Sequence, residues 1–145
     1  MNKRSQGLAI VGLAVALAAC SSTSSPSPTT ATGTTTTITG TLTEYEIQLS
    51  AISAPAGTVI FNVTNAGTIV HEFVILKTDV LAADLPLAGD SVDEGAYNAI
   101  GEVEETEPGG SGTFTATLEP GHYAIICNVS GHVAQGMVTD FTVNN

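Results

Sequence analysis

Tyr123-Ala-Ile-Ile-Cys127-Asn-Val-Ser-Gly-His132-Val-Ala-Gln-Gly-Met137 decides how this chain of 145 residues is read. Its first half is apolar and strand-like, so that Tyr123, Ile125 and Cys127 share one face. Its second half is a loop in which Gly131 and Gly136 permit a tight backbone path. A thiol, an imidazole and a thioether therefore follow one another at even spacing beyond the end of one strand.

The same period-two pattern recurs outward from this stretch. His71, Phe73 and Ile75 share a face, with Glu72 on the other. Val59, Phe61 and Val63 alternate after the turn Pro55-Ala-Gly57. Tyr45, Ile47 and Leu49 alternate as well. Phe114, Ala116 and Leu118 precede the turn Glu119-Pro-Gly121, and Phe141 and Val143 close the chain. Many short strands with Pro/Gly turns predict an all-β, antiparallel sandwich over residues 38–145, one domain with one core.

One stretch breaks the pattern. Asp79 to Glu107 holds nine of the fourteen acidic residues and neither Lys nor Arg. It reads as a partly helical, irregular excursion at about 79–107. Helical pieces are expected around Val80–Leu85 and Glu94–Ile100, with a short strand near Glu102–Glu107. Such charge runs are more often solvated loops than docking surfaces, and it is read as a loop.

The amino-terminal end is not part of this fold. Lys3 and Arg4 precede an apolar run from Leu8 to Ala19 that is too short to span a bilayer, so residues 1–19 read as a signal peptide. Leu17-Ala18-Ala19-Cys20 resembles a bacterial lipobox, which makes Cys20 the lipidated first residue of the mature chain. Residues 20–37 are Ser, Thr, Pro, Gly and Ala after Cys20 (Ile38 ends the run) and read as a disordered tether reaching about 23 Å. The expected location is the extracytoplasmic side of a bacterial membrane.

Without the signal, Lys77 is the only basic residue against 14 acidic ones. That balance excludes nucleic acid as a partner and favours basic proteins and cations. If Cys20 carries lipid, Cys127 has no disulfide partner. A lone thiol in an exported protein is either inert packing or a metal thiolate.

Taken singly, His71, Cys127 and Met137 are ordinary core residues, and His132 in its glycine loop is only mildly suggestive. Together they matter, because the chain has two methionines, one of them the initiator, two cysteines and three histidines. Two imidazoles and a thiolate suit both oxidation states of copper, and a thioether at longer range tunes the potential. Zinc also accepts two His and a Cys.

The pair His71-Glu-Phe-Val-Ile and Cys127-x4-His132-x4-Met137 resembles the cupredoxins, the small type 1 blue-copper proteins. The loop spacing is nearest their rusticyanin and azurin-like branches. The resemblance implies a Greek-key sandwich holding one copper ion, cycling between Cu(I) and Cu(II). It makes His71, Cys127 and His132 the equatorial ligands and Met137 the axial one. Many cupredoxins place Asn after the first histidine and Ser or Thr after the cysteine, tying the two ligand strands together. Here Glu72 and Asn128 stand at those positions, and Asn128 is expected to donate to Glu72 or to nearby backbone.

His122 lies on the opposite strand face from Cys127 and about 16 Å along the strand, so it reads as a surface turn residue and not a ligand. The sequons Asn62-Val-Thr64 and Asn128-Val-Ser130 read as accidental. The chain shows no acid–base or nucleophile array beyond the ligand set, so no enzyme is expected. The leading function is a monomeric, membrane-tethered electron carrier serving a redox protein partner through His132, with Val133 and Ala134 as an apolar rim. The alternative is a copper protein for sequestration or delivery.

Overall fold

The computed structural model describes residues 33–145. Eleven strands follow in order: β1 (Thr34–Thr43), β2 (Glu46–Leu49), β3 (Ser53–Pro55), β4 (Gly57–Asn65), β5 (His71–Lys77), β6 (Leu87–Ala88), β7 (Ser91–Val92), β8 (Asn98–Thr106), β9 (Ser111–Leu118), β10 (Gly121–Ile126) and β11 (Val138–Asn144). They form a four-stranded sheet, β2-β1-β4-β9, a five-stranded sheet, β3-β11-β10-β5-β8, and the small ribbon β6-β7. The all-β sandwich is as expected.

The sheets are mixed rather than antiparallel. β1 runs parallel to β4, from Thr34↔Gly57 to Leu42↔Asn65, and β3 runs parallel to β11. The cause is that Pro55-Ala-Gly57 is not a hairpin turn. It carries the chain from β3 in one sheet to β4 in the other. Gly57 sits at φ 138°, and a Cβ there would lie 2.3 Å from the Thr34 carbonyl oxygen, so glycine permits the close start of the β1–β4 pairing. The strand also begins earlier than the composition implied. Thr34–Thr37, expected in the tether, belong to β1 because their backbone pairs with β4 and a threonine needs no burial to hold a ladder. The signal segment 1–19, Cys20 and the tether up to residue 32 lie outside the described residues.

The inward faces supply the main core: Ile38, Leu42, Val59, Phe61, Val63, Phe73, Ile75, Tyr123, Ile125, Phe141 and Val143, with Cys127 and Met137 at one end. Phe61 meets Phe73 and Phe141 with ring centroids 5.5 Å apart in each pair. Truncating Phe61 to alanine there would cost about 3–5 kcal/mol. A second cluster lies on the outer face of the five-stranded sheet, where Val74, Leu76, Ala124 and Ile126 pack under Ala82, Leu85 and Val92.

That second cluster corrects the reading of the acidic stretch. Its helical pieces are single 3-10 turns, Ala82–Asp84 and Glu94–Ala96, and its second half is the nine-residue strand β8. The segment is no loose loop. Its few apolar residues cap β5 and β10, which are buried on both faces, while its carboxylates face outward. No helix among the described residues is long and apolar enough to cross a membrane.

Candidate metal centre

β5 and β10 are antiparallel neighbours, so the start of β5 and the end of β10 meet at one end of the sandwich. His71 opens β5 and Cys127 follows the last residue of β10. From Cys127 the chain turns through a 3-10 turn, Val133–Gln135, and returns as β11. Cys127 N–H donates to the Met137 carbonyl (3.0 Å), and Met137 N–H donates to the His132 carbonyl (3.1 Å). Gly131 (φ 81°) and Gly136 (φ 90°) occupy left-handed backbone, as the tight path requires.

This folding brings together Nδ1 of His71, Nδ1 of His132 and Sγ of Cys127. The two nitrogens are 3.3 Å apart, and the sulfur is 3.9 Å from His71 Nδ1 and 3.2 Å from His132 Nδ1. A circle through three atoms so spaced has a radius of about 2 Å, close to the bond length from imidazole nitrogen to a first-row metal ion. His71, Cys127 and Met137 are fully buried and His132 is 7% exposed. The donor set, two imidazoles and a thiol with a buried thioether beside them, fits one copper ion.

The electrostatics prepare the donors. Burial, followed by the neighbouring His132 ring, pushes the His71 imidazolium down, and burial does the same to His132, so both rings are neutral and offer lone pairs. Burial pushes the Cys127 thiol up, opposed by the backbone N–H groups of Glu72 and Val129. The Glu72 amide reaches the sulfur at 3.2 Å. A metal ion must therefore displace the thiol proton, and those amides favour the resulting thiolate.

Asn128 makes a different tie from one to the first ligand strand. Its side chain donates to the Val92 carbonyl (3.0 Å) and to Glu94 Oε1 (2.7 Å), and its oxygen accepts from Val92 N–H (2.8 Å). The ligand loop is thus fastened to the acidic excursion, through the Val92 backbone and the Glu94 carboxylate, and not to Glu72. The Glu72 carboxylate instead clusters with Glu94 and Glu102. Burial, with the charges of Glu102 and Glu94, pushes it up to about 7.

His122 is not a free turn residue. It lies in β10, half-buried, with Nδ1 2.6 Å from the Thr78 carbonyl oxygen and Nε2 2.9 Å from Asp140 Oδ1. Both nitrogens are engaged away from the donor cluster. A cleft of about 510 Å³ sits at the amino-terminal edges of β1 and β4, lined by Thr34, Gly57, Leu118 and Pro120 among others, and contains none of the donors.

Three neighbours of the site were not singled out in the sequence. Buried Asn65 donates to the carbonyls of Ile69 (2.8 Å) and Thr106 (2.7 Å) and accepts from Gly67 N–H (2.9 Å), which fixes the loop leading to His71. Glu44 Oε1 accepts from Thr68 N–H, Thr68 Oγ1 and Ile69 N–H in that same loop, and these bonds, led by that from Thr68 N–H, hold its carboxyl down at about 2. Tyr45 lies edge-on to His132. Only the parallel β1–β4 pairing brings this turn to the loop after β4, and no local pattern signals that register.

The fold has solved counterparts. Reduced auracyanin from Roseiflexus castenholzii shares 25% identity over 77% of this chain and 97% of its own, with a TM-score of 0.53. Auracyanin B shares 22% identity over 79% and 91%, with a TM-score of 0.57. Rusticyanin from Thiobacillus ferrooxidans shares 18% over 77% and 79%, with a TM-score of 0.60. No curated protein sequence matches the chain. The family model described as a cupredoxin-like domain matches residues 9–139. With that match, the sandwich and the converged nitrogen and sulfur donors agree, and the chain belongs to the cupredoxin family.

Proposed function

We propose that this protein is a type 1 copper electron carrier of the cell envelope. In this reading His71 Nδ1, His132 Nδ1 and Cys127 Sγ would hold the ion, and the buried thioether of Met137 would add a weaker fourth contact. The observation that carries it is the donor triangle, 3.2 to 3.9 Å on a side and sealed from water. Copper bound there supplies a one-electron Cu(I)/Cu(II) couple. The chain's own residues do the remaining work. The core around Cys127 and Met137 excludes water, and the amides of Glu72 and Val129 stabilise the thiolate. The bonds closing Cys127 to Met137 fix the loop, so little rearranges when charge changes.

The electron passes through His132, the least buried of the four, near the surface residues Tyr45 and Val133. The acidic surface steers a basic redox partner to this end. The Cys20 motif supports a lipid anchor that keeps a monomeric domain at the extracytoplasmic face of a membrane. Full burial of three donors favours a carrier over a copper-delivery protein, since delivery requires the ion to be handed across an accessible ligand.

The test is the absorption spectrum of protein loaded with Cu(II), repeated with Cys127→Ser. An intense visible thiolate-to-copper band, lost on substitution, is expected. Identical spectra would end the proposal. Reversible reduction and oxidation at constant copper content then separates the carrier from a delivery protein, which would exchange its ion with an acceptor.

A further inference from the structure

His71 Nε2 is, among the described residues, the one buried side-chain nitrogen or oxygen without a hydrogen-bond partner. A neutral imidazole that gives Nδ1 to a metal carries its proton on Nε2, and a buried N–H demands an acceptor. The nearest acceptor recorded is Glu44 Oε1, at 3.7 Å. Closing that gap by about half an ångström makes a hydrogen bond. The carboxylate is already aimed there, because Thr68 and Ile69 hold the same oxygen in place.

Gly67 supplies the room. A Cβ at this position would lie 2.7 Å from Glu44 Oε1 and 2.9 Å from His71 Nε2, so any larger residue would part the two groups. The next residue in the turn, Tyr45, packs on the other imidazole, with ring centroids 5.1 Å apart and planes at 76°. One two-residue turn thus touches both histidines.

We propose that the Glu44–Tyr45 turn positions both imidazoles, with Glu44 accepting the Nε2–H of His71 and placing a fixed negative charge behind the metal centre. Glu44 thereby selects the tautomer that frees Nδ1 and favours the more positive oxidation state of a bound ion. This rests on the copper-site reading above. Glu44 is a positioning residue: it acts through His71 and touches no reacting atom. Ligand histidines commonly gain basicity and orientation from a carboxylate on their second nitrogen.

Glu44→Gln keeps an oxygen acceptor but removes the charge, and Glu44→Leu removes both. In the full chain loaded with copper, each is expected to shift the equilibrium toward Cu(I) by about tenfold, or about 59 mV for one electron. In the diamagnetic Cu(I) form, the His71 Nε2–H resonance should persist in Glu44→Gln and exchange with water at least about tenfold faster in Glu44→Leu. Gly67→Ala retains the charge and should also speed that exchange. Unchanged potential and unchanged exchange in all three variants, with the thiolate band intact, overturn this inference alone. A wild-type chain without the band overturns the copper reading and this inference with it.

Discussion

Tyr45 stands edge-on to the ring of His132, with centroids 5.1 Å apart and the planes 76° from parallel. Tyr45 is 38% exposed while His132 is 7% exposed, so the tyrosine forms part of the cover over the outermost donor. Edge-to-face pairs of this kind are worth about 0.5–1.5 kcal/mol beyond the area they bury. Tyr45→Leu keeps most of the apolar cover and should lower the unfolding free energy of the metal-free protein by about that amount, measured by chemical denaturation.

Asn65 is fully buried and uses its side chain to bind two carbonyls and one amide. Asn65→Ala strands all three backbone groups. A loss of about 2–4 kcal/mol is expected, together with faster hydrogen exchange at Gly67.

Asn128 fastens the ligand loop to Val92 and Glu94. Asn128→Ala should deprotect the Val92 amide in hydrogen exchange and cost about 1–2 kcal/mol. Protection equal to wild type at Val92 would show that the tie contributes nothing.

Glu72 carries a pH dependence of definite sign. Its folded-state value of about 7 lies above the ordinary 4.5, so the folded protein binds the extra proton. The full stability is present below pH 4.5 and is lost as pH rises through 7. The loss is on the order of 1–3 kcal/mol after allowance for solvent screening of a partly exposed group. Metal-free Glu72→Gln should therefore show a flatter melting temperature between pH 4.5 and 7 than wild type.

The charge balance makes a kinetic prediction. Oxidation of the reduced copper form by a cationic metal complex should slow as salt is added, and oxidation by an anionic complex should accelerate. Equal salt responses for the two would show that the acidic surface does not steer.

The donors were legible because chemistry restricts them. Cysteine, histidine and methionine are scarce here, and their spacing in the loop after β10 survives without any knowledge of the fold. Strand faces were legible for the same local reason, and Phe61, Phe73 and Ile125 sit in the core as alternation predicts. What escaped notice depends on register between distant strands. Glu44 reaches the His71 loop only because β1 pairs with β4 in parallel, and Asn128 faces Val92 because the acidic segment folds back over β10. The four apolar residues Ala82, Leu85, Val92 and Tyr97 that hold that segment down are too few to show a period.

The sealing of the donors also governs how the site is filled. With three side chains fully inaccessible and His132 nearly so, a hydrated ion meets a closed door. Entry must wait for a local opening that uncovers the donors, and the waters around the ion must be shed on the way in. At high metal concentration the loading rate should then level off at the frequency of that opening, and an ion once inside should be slow to leave, whatever its thermodynamic affinity.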